Sequence, residues 1–338
     1  MRIISNDLRS SCRAMLLGAY QGGGKETEAE WTYPDEWPAL PDAGKGEVIL
    51  LIRPWEERSK ICLKVGTLDT AYVPEGYTVT IDWGDGDVLY KTDFPSSSEL
   101  IEHEYSADYF GKYVLIRFKS PEVEITQNDE IVRVASGLNG LGKNSAGYLQ
   151  SVLAACVGKR AISFDNGPGF GTMYVRFMAD DFNKTTMSRS LYYISNSEHG
   201  FSGEYRQILY NYIRQNTKRV DFIGKPEYLG GYGSQYGYSL CTVTGLDKLS
   251  VMDSSVGMFK GNYALKKLSL PELTEVPSGF FTYNYSLEEI HLPKCTKVCG
   301  SAFSNNYALR KVVLSANCEI DSTAFANNCQ YVEIIREE

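Results

Sequence analysis

Apolar and polar positions between Leu265 and Gln330 recur with a period of 22 residues: LKKLSLPELTEVPSGFFTYNYS from Leu265, LEEIHLPKCTKVCGSAFSNNYA from Leu287 and LRKVVLSANCEIDSTAFANNCQ from Leu309. Apolar columns run through all three copies: Leu265, Leu287, Leu309; Leu268, Ile290, Val312; Leu270, Leu292, Leu314; Val276, Val298, Ile320; and Phe281, Phe303, Phe325. A fixed period of this length predicts a solenoid, in which each copy is one turn and buries its apolar side only against its neighbours. The charged positions predict the register. Side chains facing each other on adjacent strands interact directly, so opposite charges should alternate down a column. They do so in Lys267, Glu289, Lys311, Glu333; in Lys266, Glu288, Arg310; in Glu275, Lys297, Glu319; and in Glu272 opposite Lys294. The partial copy Tyr331 to Glu338 puts Arg336 in a leucine column and ends in acidic residues, which suits a polar cap.

Upstream the pattern changes to short alternating runs at Glu47 to Arg53, Ser59 to Val65, Tyr77 to Trp83, Val88 to Lys91 and Lys112 to Phe118, which predict an antiparallel β-sandwich. Within it, Val79, Ile81 and Trp83 form the inward face and Gly84 and Gly86 allow a tight turn. WTYPDEWPALPDAG, from Trp31 to Gly44, is punctuated by proline and is expected to run extended over a surface, with Trp31, Tyr33 and Trp37 as pegs. Residues 6–18 place Leu8, Cys12, Met15 and Leu16 on one side of a short helix, a candidate assembly anchor, followed by a polar glycine-rich linker. From Val123 to Leu240 the repeat signal decays. KNSAGYLQSVLAACVG from Lys143 and YRQILYNYIRQN from Tyr205 have helical spacing, while AISF, MYVRF, RVDFI and SLYYI read as strands, so irregular solenoid turns with helices are expected. Leu246 and Leu249 fit two registers of the next turn, in which Phe259 keeps the phenylalanine column. The fold class is therefore β-rich and multidomain, divided at 1–30, 31–126, 127–242 and 243–338.

Two resemblances accompany these patterns. The repeat of leucine, a second apolar position, then phenylalanine, asparagine and the next leucine resembles the BspA-type leucine-rich repeats of bacterial surface and phage proteins, with Tyr263, Tyr285 and Tyr307 where family members often carry cysteine. Asp82 to Gly86 (DWGDG with Trp83), His103 with Tyr105, and Gly111 with Tyr113 resemble the signature of PKD-like, immunoglobulin-type modules. The order of tryptophan and proline leader, PKD-like module and leucine-rich turns is similar to that of phage and prophage proteins. This resemblance implies a non-catalytic virion protein, tail-associated and assembled in the host cytoplasm. It would contact other virion or tail proteins through its N-terminal segment and a host surface protein or glycan through the solenoid. A homo-oligomer is left open. A bacterial cell-surface adhesin is the alternative, and a nucleotide- or carbohydrate-processing enzyme a weaker one.

Composition narrows the chemistry. A formal net charge of -8 argues against nucleic acid as a partner, and no apolar run is long enough to predict membrane insertion. Eight scattered cysteines, with Cys295 in a core column, are expected to be reduced. GLNGLGK, from Gly137 to Lys143, approaches a phosphate-binding loop, but Asn144 stands where that loop needs a hydroxyl; a tight glycine turn into a helix is the favoured reading. Asp82, Asp85 and Asp87 carry oxygens for calcium, yet their spacing fits a hairpin better. His103, His199 and His291 lie far apart in sequence, giving little basis for a zinc site or a triad. No cofactor, metal or catalytic residue is assigned. The candidate ligand surface is EYLGGYGSQYGYS, with Tyr228, Tyr232, Tyr236 and Tyr238 among glycines and serines, although packing on neighbouring turns explains the same composition. The asparagine and tyrosine pairs of the regular repeats read as structural, since their period is that of the core.

Overall fold

A computed structural model describes residues 31–65, 76, 78–92, 99–119, 124–127, 130–134, 138–141, 152–158, 165–166, 172–178, 217–229, 239–252, 259–328 and 331–338. The N-terminal strands are β1 (Glu47–Ile52), β2 (Lys60–Val65), β3 (Val79–Asp82), β4 (Val88–Lys91), β5 (Glu99–Glu104) and β6 (Val114–Lys119). After a hairpin of β7 (Glu124–Gln127) and β8 (Glu130–Val134) come β9 (Leu138–Leu141), β10 (Ala154–Val157), β11 (Asp165–Asn166), β12 (Tyr174–Phe177), β13 (Arg219–Phe222), β14 (Tyr228–Leu229), β15 (Thr242–Thr244) and β16 (Val251–Met252). The regular repeats contribute β17 (Lys267–Ser269), β18 (Glu275–Val276), β19 (Glu289–Leu292), β20 (Lys297–Val298), β21 (Lys311–Ser315), β22 (Glu319–Ile320) and β23 (Glu333–Glu337). The chain is β-rich, and among the described residues its only helical element is a 3-10 turn at Ala107–Tyr109.

The repeats form a β-solenoid, and the register is the one the charges called for. Lys267 pairs with Glu289, Glu289 with Lys311 and Lys311 with Glu333, while Glu275, Lys297 and Glu319 form a second ladder. Lys294 reaches Glu272 at 2.6 Å, and Arg310 reaches Glu288 at 2.6 Å. These pairs are exposed, so they specify alignment more than they stabilise. Stability comes from the columns inside, where Leu265, Leu287 and Leu309 and the rings of Phe281 and Phe303 are buried. Phe281, Phe303 and Phe325 stack at 5.2 Å spacings. Leu246 and Leu249 both enter this core: the Leu249 N–H bonds to Leu246 O, as Leu273 does to Leu270 and Cys295 to Leu292. At the far end Arg336, facing Leu314, donates from Nη1 to the carbonyls of Ala316 and Cys318 at 3.0 Å each, capping the last turn.

The solenoid begins well before the regular copies. One eight-stranded sheet has the order β15-β13-β12-β10-β1-β6-β3-β4: β10, β12, β13 and β15 are parallel, and β10 lies antiparallel to β1. A second sheet, β11-β9-β2-β5, crosses the same junction through β2 and β9. The N-terminal strands and the solenoid thus share two sheets and one apolar cluster running from Val48 to Ala324. β1 is the hinge of this arrangement. Val48, Leu50 and Ile52 enter the common core, while Ile49 and Leu51 face the other way, under Leu40, Trp31, Tyr33 and Trp37. That double burial explains its unbroken apolar run. The segment from Trp31 holds on through Arg219, which donates to Trp31 O, and Arg176, which donates to Leu40 O and Asp42.

Two local expectations are corrected. Ala154–Val157, within the stretch expected to be helical, is strand β10, buried throughout and bonded on both sides by β1 and β12. Two waiting sheet edges outweigh a local helical spacing, because a buried strand satisfies its backbone on both sides at once. Likewise Leu138–Leu141, within the stretch expected to be a tight glycine turn, is β9, paired with β2 and β11. A phosphate loop needs its N–H groups curled toward one point, and a strand spends them on its neighbours. The segment from Tyr205 to Asn216 lies outside the described residues.

Candidate functional site: an aromatic edge of the repeats

Each regular turn closes with a residue in the left-handed region followed by asparagine; tyrosine comes next in the first three turns and Cys329 in the last. The left-handed positions are Gly261, Tyr283, Asn305 and Asn327, with φ of 73°, 63°, 61° and 61°. Rung hydrogen bonds hold them there, from Gly261 N–H to Thr282 O, Tyr283 N–H to Ser304 O and Asn305 N–H to Ala326 O. Glycine and asparagine adopt this conformation readily; for tyrosine it costs about 1–2 kcal/mol. The next column is buried. Asn284 Oδ1 accepts the Asn262 N–H at 3.1 Å, and its Nδ2 donates to Phe259 O at 2.6 Å and Phe281 O at 2.7 Å. Asn306 and Asn328 repeat the first of these bonds at 2.8 Å each. These asparagines therefore stitch turns together.

The tyrosines that follow lie at the surface, Tyr263 exposed and Tyr285 and Tyr307 half-buried. Tyr263, Tyr285 and Tyr307 form a parallel stack, with centroids 4.7 and 5.0 Å apart and planes within 4° and 7°. Tyr283 stands at 83° to Tyr285, 6.4 Å away, and is 38% exposed. Burial, together with the neighbouring phenols, raises the pKa of Tyr285. The asparagines of this column are structural, as their period suggests, and the tyrosines stack beside them outside the core.

The surface singled out from the sequence is only partly described. Tyr228 lies on β14 opposite Val251, half-buried; Tyr232, Tyr236 and Tyr238 lie outside the described residues, as do Leu8, Cys12, Met15 and Leu16. The acidic hairpin is better defined. Asp82 Oδ1 accepts the Gly84 N–H, Asp85 Oδ1 accepts the Asp87 N–H, and Asp85 Oδ2 lies 2.7 Å from His103 Nε2. His103 stacks on Trp83 at 4.6 Å, Tyr105 donates to Trp83 O, and Tyr109 donates to Asp85 O. Asp85, Asp87 and His103 bring ligand atoms within 4.8 Å of one another, but the oxygens of Asp85 already brace the turn.

Folding also assembles a trio that the sequence keeps apart. Ser269 Oγ is 3.3 Å from His291 Nδ1, and His291 Nε2 is 3.3 Å from Glu337 Oε2. His291 and Glu337 are 43% and 47% exposed on an open sheet, where water competes for each bond. A hydrolytic triad needs the opposite surroundings. The six described cysteines are free thiols; burial pushes Cys156 up to about 11 and Cys295 up to about 12, which keeps both protonated and poorly nucleophilic. Among the described residues no helix is long and apolar enough to cross a membrane.

No curated protein and no solved structure matches this chain. Residues 233–334 match the family model of the BspA type leucine rich repeat region, in six copies, so the part of the chain that carries the tyrosine edge is a region of BspA-type leucine-rich repeats.

Proposed function

We propose that this is a non-catalytic recognition protein whose repeats bind their target along the edge formed by Tyr263, Tyr283, Tyr285 and Tyr307. The observation that carries this reading is the surface stack of Tyr263, Tyr285 and Tyr307. The asparagines and phenylalanines hold the turns together from inside, and the tyrosine rings stack outside that core. BspA-like repeats are consistent with protein interaction or a surface-adhesin role. The shared sheets and the cap by Arg336 give the edge a rigid mounting, which lowers the entropy lost on binding.

The finer reading, a tail-associated protein of a phage or prophage particle with a PKD-like module, is supported by the leader, hairpin and repeat order and by the contacts among Trp83, Asp85, His103 and Tyr105. Neighbouring genes separate it from a cell-surface adhesin: tail or capsid genes favour the particle, secretion and lipoprotein genes the adhesin. For recognition itself, fluorescently labelled protein is titrated onto a panel of intact bacterial cells. Tyr285→Ala with Tyr307→Ala should weaken binding at least tenfold with the far-UV spectrum unchanged. Undiminished binding by the folded double variant would remove the edge from the function.

A further inference from the structure

We infer that the tyrosine edge takes a neutral polysaccharide, laid along the solenoid axis across successive turns. This rests on the recognition reading above and names the ligand. The edge comprises residues 259–264, 279–286, 301–308 and 323–328, and its only charged side chain is Lys260, in a chain with 34 basic and 42 acidic residues. Other faces of the same turns carry alternating charge columns. An acidic glycan or a nucleic acid would call for a row of cations here, and the edge has none. Phenols, asparagines, serines and threonines suit a ligand rich in hydroxyls with apolar C–H faces.

Geometry points to the same ligand. The phenol stack repeats at 4.7 and 5.0 Å, turn after turn. A polymer that repeats its own unit meets the same group at each step and gains from every additional contact. The surface of a globular protein without repeats has no such translational period. Tyr283 supplies the further observation. The stacked rings of Tyr263, Tyr285 and Tyr307 cover one another and offer mainly edges and hydroxyls. Tyr283, at 83° to Tyr285, has no parallel neighbour among the described residues and is 38% exposed. It is the one non-glycine, non-asparagine residue in its left-handed column, with φ of 63°. Backbone strain retained beneath an exposed ring marks a side chain kept for contact, because burial does not hold it in place.

The test uses the full chain and Tyr283→Asn, which relieves the backbone and removes the ring. Both are applied to arrays of neutral, sialylated and sulfated glycans and to intact cells pretreated with periodate or protease. Binding to a neutral polysaccharide, at least tenfold weaker in Tyr283→Asn with Tm equal or higher, is expected, together with cell binding lost to periodate and spared by protease. Three results would overturn the ligand assignment and leave the recognition reading standing: capture of acidic glycans only, tyrosine-dependent cell binding that protease abolishes and periodate spares, or light scattering showing a dimer that Tyr283→Asn dissolves. Cell binding that no tyrosine substitution alters would sink both.

Discussion

Replacing Asn284 by alanine removes one amide that serves three backbone groups. Its side chain accepts the Asn262 N–H and donates to the carbonyls of Phe259 and Phe281, and the residue is fully buried. Alanine leaves a donor and two acceptors where water does not reach. An orphaned buried group costs about 1–3 kcal/mol, and with both carbonyls taken at the low end the loss is about 3–4 kcal/mol. Asn306 provides the control. It is equally buried in the same column and its Oδ1 accepts the Asn284 N–H, but its Nδ2 has no partner. Asn306→Ala therefore orphans one donor, for about 1–2 kcal/mol. Each kcal/mol moves Tm by roughly 1–2 °C in a chain of this size, so Asn284→Ala should melt about 2–4 °C below Asn306→Ala. Far-UV circular dichroism reads that difference. Trp31, Trp37, Trp55 and Trp83 all precede the repeats, so their emission separately reports the N-terminal sheets. With one apolar cluster joining the two regions, both signals should shift together. Equal losses at the two asparagines would refute the accounting of hydrogen bonds, and an unmoved tryptophan transition would refute the coupling across β1 and β10.

Three further outcomes follow from particular contacts. Burial, the largest cause in each case, pushes Tyr33 and Tyr174 up to about 12 from an ordinary 10.0. The unfolded chain loses these protons first, so their contribution is intact below pH 10 and falls as pH rises from 10 to 12; tryptophan emission should shift red in that window before the far-UV signal changes, and less so in Tyr174→Phe. Gly158→Ala puts a methyl 1.8 Å from Gly44 O and 2.7 Å from Glu47 O at the start of β1. Overpacking there should cost about 1–3 kcal/mol in chemical denaturation, with the tryptophan signal affected. Tyr283→Asn should gain up to about 1 kcal/mol in urea unfolding, the left-handed penalty less a lost ring contact with Tyr285; a clear loss of stability would show that the ring is structural.

Legibility tracked the range of the interaction. The charge columns could be read from the chain because each turn's partner is the preceding copy of itself, so Lys267, Glu289 and Lys311 announce their own pairing. The roles of neighbouring Asn284 and Tyr285 were not separable by period, since both recur with the core; burial of the first and stacking of the second distinguish them. Gly140 looked like part of a loop because glycine is common in turns, yet it pairs with Lys64 and Asp165. Ser269, His291 and Glu337 carry no shared motif, and only the coiling of the chain brings them together.

By itself, the amino-acid sequence determined the repeat, its register and the alternation of charge that keeps the turns aligned, because those features are periodic and each position is repeated in its neighbour. The tertiary structure alone decided that Ala154–Val157 is a strand, that β1 joins the N-terminal sheets to the solenoid, and that one edge carries stacked phenols. The physical reason is that those outcomes depend on pairings such as Leu50 with Ala155, made once between unlike segments far apart in the chain. A pairing made once leaves no period to read; its free energy appears only when both strands are brought together and buried.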